Sequence, residues 1–408
     1  MSLPPEFLDE LRSRIGLAQL VGRRVKLTRA GREMKGCCPF HKEKTPSFYV
    51  NEDKGFYHCF GCGAHGDAIG FLMAQDGLDF IGAVKALAAE AGLAVPEQRA
   101  PTPGVLRRAG LAELVGAAGD WFRAQLAAPG GAAARAYLDR RGVAPATQAL
   151  FGLGFAPDSR DALSIALKAK LPALEPAQLI EAGLAGEADG RRYDRFRGRL
   201  IFPIHDSRGR PVGFGGRALG DGEPKYLNSP EGPVFQKGRL LYNLHRAAAA
   251  ARKAGRLLIV EGYMDVVGLA GAGITEAVAP LGTALTEEQM EVAWRLVPEP
   301  ILAFDGDAAG RRAALRAATR ALPLLKAGRS LAFVTLPAGQ DPDDLARTGG
   351  REAIDALVAQ AQPLARFLFE AELTSSPTDT PERRAALRAR LRALASEIAD
   401  PELRRDYL

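Results

Sequence analysis

Three stretches in the second half of the chain are apolar almost without a break, and each ends on acids. Leu257 to Val260 stops at Glu261 and Gly262, Ile301 to Phe304 runs into Asp305-Gly-Asp307, and Leu331 to Leu336 runs toward Asp341-Pro-Asp343. Runs without alternation predict strands buried on both faces, as in a parallel sheet. Ile274 to Leu281, ending on Gly282, supplies a fourth strand. Helical spacing fills the gaps: Met264–Ala272, Thr286–Val297 with Met290, Val292 and Leu296, and Ala308 to Lys326. Strand and helix alternate, which predicts a right-handed parallel sheet of about four strands. Its carboxyl edge, where open α/β sheets bind ligands, receives five carboxylates.

The first half reads differently. Pro5 to Leu20 has Phe7, Leu8, Leu11, Ile15 and Leu20 on one side of a predicted helix, and alternation at Phe48, Val50 and Phe56 predicts a small antiparallel sheet. Residues 66–93 predict two covering helices, and Val95 to Gly104 carries three prolines, the composition of a semi-rigid linker. Leu111, Leu114, Val115, Ala118, Phe122 and Leu126 predict an amphipathic helix. Arg199 to Ile204, a turn at Asp206–Gly209 and Pro211 to Arg217 predict a hairpin whose second strand contains Gly213, Gly215 and Gly216. Glycines cost a strand its packing unless something approaches the backbone closely, and a phosphate is the expected visitor. From Glu352 onward the chain is predicted helical, with Leu387, Leu391, Leu394 and Ile398 on one face.

Composition narrows the class. With 408 residues, 47% hydrophobic and 25% charged, the chain is expected to be a soluble protein of several domains. Net charge +6 and a pI near 9.2 lean toward a polyanionic partner. No eighteen-residue window is free of charge, so no membrane span is expected, and Met1-Ser-Leu-Pro-Pro has no secretory pattern. A cytoplasmic location is expected.

All four cysteines fall between 37 and 62. Cys38-Pro-Phe-His41 and Cys59-Phe-Gly-Cys62 are two tight knuckles, and together they predict one structural zinc with three thiolates, one imidazole and no open position. Cys37 would give a wider spacing and is expected to be a small buried hydrophobe; His58 and His65 are alternative ligands with a surface role more in keeping. Lys42, Lys44 and Lys54 among Phe48, Phe56, Tyr57 and Phe60 allow either a miniature core or a face that stacks single-stranded bases. Arg23, Arg24, Lys26, Arg29, Arg32 and Lys35 precede the knuckles.

Clustered carboxylates suit hard divalent cations. Glu261, Asp305 and Asp307, with Asp341 and Asp343, are therefore candidate ligands for magnesium in phosphoryl transfer, with Glu261 either a ligand or a general acid/base. The Asp305-Gly-Asp307 pair taken alone could be a helix cap, Asp265 in a first helical turn could equally stabilise the helix dipole, and Asp344 could be simply exposed. Arg191, Arg192, Arg195, Arg197 and Arg199, with Lys225, Asn228 and Lys237, are candidates for a phosphate cradle. No G-x4-G-K-[ST] loop occurs, which disfavours an ATP-driven motor.

In combination these motifs resemble the bacterial DnaG-type primases. Glu261-Gly, Asp305-Gly-Asp307 and Asp341-Pro-Asp343 resemble the TOPRIM domain, the knuckles resemble the CHC2 zinc module, and Phe196 to Ile204, Gly213-Phe-Gly-Gly-Arg217 and Pro224 to Pro230 resemble the primase polymerase core. The resemblance implies a DNA-dependent RNA polymerase that starts short RNA primers de novo on single-stranded DNA from nucleoside triphosphates, by two-metal nucleotidyl transfer with magnesium or manganese. It puts metal roles on Glu261, Asp305, Asp307, Asp341 and Asp343, and template or nucleotide contacts on Arg197, Arg199, Lys225, Asn228 and Lys237, beside Arg195. The architecture expected is multidomain α+β and α/β: a zinc ribbon (1–97), a linker (98–108), a mixed α/β basic subdomain (109–250), a TOPRIM-like parallel sheet (251–345) and a C-terminal helical bundle (346–408). Family members continue into a module that binds the replicative helicase, and this chain ends first, so helicase stimulation is expected to be absent. A TOPRIM nuclease and a non-catalytic zinc/TOPRIM recombination adaptor are the alternatives.

Overall fold

In the computed structural model, which describes residues 5–31, 33–52, 54–95, 103–220, 222–282, 284–337 and 339–408, the first predicted helix is two. α1 (Pro5–Arg14) and α2 (Leu17–Gly22) meet at Gly16, which is extended at φ −70° and ψ 108°. The break lets Leu11, Leu17, Leu20 and Val21 all reach one core, which a straight helix would have split between faces. Strands β1 (Thr28–Ala30), β2 (Glu33–Gly36), β3 (Phe48–Asn51), β4 (Phe56–Cys59) and β5 (His65–Gly66) form an antiparallel sheet in sequence order. Phe48 and Val50 alternate inward as predicted. The covering helices are α3 (Ala68–Asp76) and α4 (Phe80–Glu90), started by Asp67 and Asp79, whose carboxylates accept from the amides of Gly70 and Gly82. This is the first of two compact units, residues 1–102; the second is 103–408.

The predicted linker differs from the structure at its far end. Residues 96–102 lie outside the described residues, with Arg32 of the basic run. Helix α5 (Pro103–Ala127) already begins at Pro103, so 103–108 is helical. Proline suits the first position of a helix as well as a linker, and composition alone does not distinguish the two.

Within the second unit, α6 (Ala132–Arg140), α7 (Pro145–Phe151), β6 (Gly154–Ala156), α8 (Ala162–Lys170), α9 (Pro176–Glu181) and the hairpin β7 (Ala185–Ala188) and β8 (Arg191–Asp194) lead to the predicted hairpin β9 (Arg199–His205) and β10 (Pro211–Ala218). With β11 (Tyr226–Asn228) they make a sheet of order β11-β10-β9-β6. Ile201 packs toward α5 with Phe122 and Phe214, while Leu200 and Phe202 face the other way, toward Val260 and Tyr263. The glycines of β10 do admit a close approach, but by aromatic rings and not by phosphate. A Cβ on Gly215 would stand 2.6 Å from the Tyr263 ring, and one on Gly216 would stand 2.7 Å from Phe196.

After α10 (Leu244–Ala254) comes the second sheet: β12 (Leu258–Ile259), α11 (Tyr263–Gly271), β13 (Ala277–Val278), α12 (Glu287–Trp294), β14 (Ile301–Phe304), α13 (Ala308–Ala321), β15 (Ala332–Thr335), α14 (Pro342–Val358) and β16 (Gln362–Pro363). Its order is β13-β12-β14-β15-β16, with the first four parallel as predicted and β16 antiparallel at the edge. Burial on both faces is literal: Leu258 and Val260 join one apolar cluster, Leu257 and Ile259 the opposite one. α13 gives way to a 3-10 turn at Leu322–Leu324 because Pro323 has no amide to continue it. α14 starts at Pro342, capped by Asp341, ten residues before helix was predicted, and it spans the expected domain boundary at 345/346. Helices α15 (Leu364–Ser375), α16 (Pro381–Ser396) and α17 (Pro401–Tyr407) complete the chain. Among the described residues, no helix is long and apolar enough to cross a membrane.

One half-buried pair gives this unit a pH dependence. His205 and His245 lie with ring centroids 4.6 Å apart, and burial, with the nearby Arg246 cation, pushes both down to about 4 despite Asp206. The unfolded chain therefore takes up these protons first. Their stabilisation is full above pH 6.5 and is lost as pH falls toward 4. Lowering pH from 7 to 5 is expected to cost on the order of 2 kcal/mol. Urea unfolding followed by Trp121 and Trp294 fluorescence measures it; an unchanged slope in a His205→Gln/His245→Gln variant would assign the loss elsewhere.

Candidate functional site

Cys38, His41, Cys59 and Cys62 bring their ligand atoms within 4.8 Å of one another. Cys38 Sγ and Cys62 Sγ are 3.7 Å apart, and Cys59 Sγ is 3.8 Å from His41 Nδ1. About 3.8 Å is the edge of a tetrahedron built on metal–sulfur bonds of ~2.3 Å, so donors and spacing both fit a closed structural zinc site. Cys38 is the buried cysteine and Cys37 the exposed one, so Cys37 is not the buried hydrophobe expected. Cys38 turns into the ligand group, and Cys37 faces outward. His58 packs on Phe60 and His65 Nδ1 meets the Gly63 carbonyl; neither joins the group.

Glu43, unmarked in the sequence, organises the first knuckle. Its Oε1 accepts from the amides of Cys38 (2.6 Å) and Ser47 (3.2 Å). Its Oε2 accepts from the Ser47 hydroxyl (2.5 Å) and lies 3.3 Å from His41 Nε2, leaving Nδ1 for the metal. The Ser47 hydrogen bond holds this carboxyl below its usual range. Among the aromatics, Phe48 and Tyr57 are core, while Phe56 and Phe60 are exposed at 40% and 73%. Arg23 and Arg24 are ion-paired to Glu90 and Asp76.

In the second unit, adjacent parallel strands β12 and β14 deliver Glu261 and Asp305 side by side, and the Asp305 amide donates to Glu261 Oε1 at 2.9 Å. Gly306 has no alternative in this turn, since a Cβ there would meet the Leu336 and Pro337 carbonyls at the end of β15. Asp307 and Asp341 each cap a helix with one oxygen, accepting from Gly310 (2.7 Å) and Asp344 (2.6 Å). Asp265, buried in the first turn of α11, accepts from Gly262 at 2.8 Å. Asp343 is 1% exposed and paired to Arg141.

Burial, reinforced by Glu261, Asp341 and Asp307, pushes Asp305 up to about 7. Burial also raises Glu261, Asp265 and, against the Arg141 cation, Asp343. Asp305 Oδ1 is buried with no hydrogen-bond partner among the described residues. Such an edge favours a cation. Among the described residues only the zinc group gathers three or more ligand atoms within 4.8 Å, so the acids share a wall without meeting at a point.

That wall belongs to a cavity of about 300 Å³, lined by Glu261, Asp265, Asp305 and Asp341 and by the cations Arg217, Lys225 and Arg141, the last ion-paired to Asp341 at 3.5 Å. Tyr137, Tyr226, Tyr263 and Asn228 complete it. The Arg217 guanidinium lies 4.3 Å from the Tyr137 ring and 5.8 Å from that of Tyr226.

Of the cations singled out in the sequence, Lys225 reaches this cavity, with Asn228. Arg199 is 7% exposed and donates to the carbonyls of Gly216 and Pro224; Arg195 donates twice to the Asn228 carbonyl. Both arginines brace the hairpin through these carbonyls, and neither lines the cavity. Arg197 is exposed, 5.4 Å from the Tyr193 ring, and Lys237 sits on a 3-10 turn held by Glu231 and Gln289, outside the cavity lining. Arg217 and Tyr226 flank residues the motifs had flagged. Arg141 and Tyr137 carry no local signal.

Three families match the chain: CHC2 zinc finger over residues 3–102, DNA primase catalytic core, N-terminal domain, over 121–248, and Toprim domain over 255–334. The Toprim match ends before Asp341. The DNA primase of Escherichia coli strain K12 is 46% identical over 407 residues, covering 98% of this chain and 70% of the relative. The solved zinc-binding and RNA polymerase domains of the Aquifex aeolicus primase are 31% identical, covering 100% of this chain and 95% of that one, with TM-score 0.63. The DnaG primase catalytic domain bound to single-stranded DNA is 42% identical, covering 74% of this chain and 94% of that one, with TM-score 0.67.

Proposed function

The chain belongs to the DNA primase family, and from that premise we propose how its own residues carry the chemistry. It is a DNA-directed RNA polymerase that synthesises RNA primers. The proposed substrates are single-stranded DNA template and ribonucleoside triphosphates, in the cytoplasm. Asp305 and Asp307, with Asp341, would hold magnesium or manganese, which when bound would neutralise phosphate charge and acidify the attacking hydroxyl; Asp343, expected as a further ligand, is buried and paired to Arg141 instead.

The observation that carries the reading is Asp305 Oδ1, a buried carboxylate oxygen with no hydrogen-bond partner among the described residues, in a cavity also lined by Lys225 and Arg217. Lys225 and Arg217 draw the triphosphate against the acids. A ribose hydroxyl then attacks the α-phosphorus, a P–O bond forms, the bond to the bridging oxygen breaks and pyrophosphate leaves. One oxygen of Glu261 is held by the Asp305 amide; the other takes the released proton, which its raised pKa favours. On the zinc module, exposed Phe56 and Phe60 with Lys42, Lys44 and Lys54 offer a stacking face for single-stranded bases.

A titration with manganese, followed by electron paramagnetic resonance, tests the acid edge. Wild-type protein is expected to bind the ion, and Asp305→Asn/Asp307→Asn to lose that binding. Equal binding by both would remove the metal role from these acids.

A further inference from the structure

The acids and the cations of the cavity come from different sheets. Glu261 and Asp305 end strands of the parallel sheet, whereas Arg217 and Lys225 flank the β10–β11 turn of the other. Something must set the gap between them, because a triphosphate has to touch both walls, and a displacement of about 1 Å can cost on the order of a hundredfold.

Asn228, at the end of β11, bridges the two sheets. Its Oδ1 accepts from the Tyr263 hydroxyl at 2.6 Å, and its Nδ2 donates to the Leu281 carbonyl, just beyond β13, at 2.9 Å. Both ends of the amide are thereby used on the protein. Tyr263 follows Glu261 by two residues and is 4% exposed. Its ring stacks on Phe202 at 5.2 Å, meets Tyr242 edge-on at 4.8 Å, and lies where a side chain on Gly215 would be. Gly215 is the register partner of Asn228. The tyrosine thus passes over one of the three glycines of β10 and reaches the residue paired with it.

We propose that Tyr263 and Asn228 form a latch that sets the distance between the acidic and cationic walls of the cavity, making both positioning residues and not nucleotide contacts. The inference rests on the polymerase reading of the cavity. It also explains the bare strand: Gly215 is there to admit the tyrosine ring.

Steady-state primer extension is the test, read as KM for the incoming ribonucleotide against kcat. Tyr263→Phe keeps the ring and removes the hydroxyl, so KM is expected to rise about tenfold, the size of one buried hydrogen bond lost with its acceptor left unpaired. Asn228→Ala is expected to behave alike, and the double variant to be no worse than Asn228→Ala alone, since the two act as a unit. Gly215→Ala changes neither Tyr263 nor Asn228, yet is expected to raise KM, because its Cβ would stand 2.6 Å from the tyrosine ring and 2.8 Å from its hydroxyl and displace both. Wild-type melting behaviour in Tyr263→Phe separates positioning from loss of fold. Additive losses in the double variant, or a fall in kcat with KM unmoved, would overturn the latch alone. A wild-type protein that makes no RNA would overturn the polymerase reading and the latch with it.

Discussion

Asp305→Asn is expected to reduce primer synthesis by about a thousandfold or more while leaving the protein as stable as wild type, or more so. The two halves have one cause. Asp305 is half-buried among Glu261, Asp341 and Asp307, and burial with those charges lifts it to about 7. Above pH 7 the folded protein holds this carboxylate ionised against its surroundings, whereas the unfolded chain ionises it freely near 4, so ionisation opposes folding. The amide keeps the shape and removes the repulsion; with the partial exposure of the site discounted, the gain is on the order of 1 kcal/mol. The same substitution removes the oxygen best placed to meet a cation, Oδ1. Primer synthesis and thermal melting at pH 8 check both halves. An active variant would remove Asp305 from the chemistry, and an unfolded one would make it structural.

Cys59→Ser is expected to remove the zinc and unfold residues 1–102 while residues 103–408 stay folded. Cys59 is fully buried, pairs with Phe48 across β3 and β4, and belongs to the same core as Phe71 and Leu87. Structural zinc contributes about 10–16 kcal/mol to the folding of small zinc modules, more than a core of this size supplies on its own. Zinc content measured by atomic absorption should fall from one per chain to none, and hydrogen-exchange protection should collapse in α3 and α4 but persist in β12 and β14. Cys37→Ser, altering an exposed side chain outside the ligand group, should keep the zinc. Loss of zinc in Cys37→Ser would reverse the ligand assignment.

What the sequence made legible is what local spacing encodes. Two knuckles specify a tetrahedral site whatever surrounds them, and an apolar run ending on an acid specifies a strand end. The four parallel strands and the zinc ligands follow from that. The cations that line the cavity do not. Arg141 pairs with Asp343 across 202 positions, and nothing near either marks the partnership. Arginine density does not say which cation lines the cavity: Arg195 and Arg199 donate to backbone carbonyls, while Arg217, isolated at the end of a glycine strand, reaches it. The glycines of β10 were read correctly as admitting a close neighbour, but only the packing shows that neighbour to be Tyr263 and Phe196.

Primer synthesis itself tests the central claim most directly. Wild-type protein is incubated with single-stranded DNA, labelled ribonucleoside triphosphates and magnesium, and the products are resolved by length and sequence. Short RNA complementary to the template, absent without magnesium and weakened steeply by salt as phosphate contacts require, is the expected result. Magnesium-dependent nicking of the DNA without RNA would support the nuclease alternative, and DNA binding with neither product would support the adaptor; either would contradict a polymerase at the Glu261–Asp305 edge.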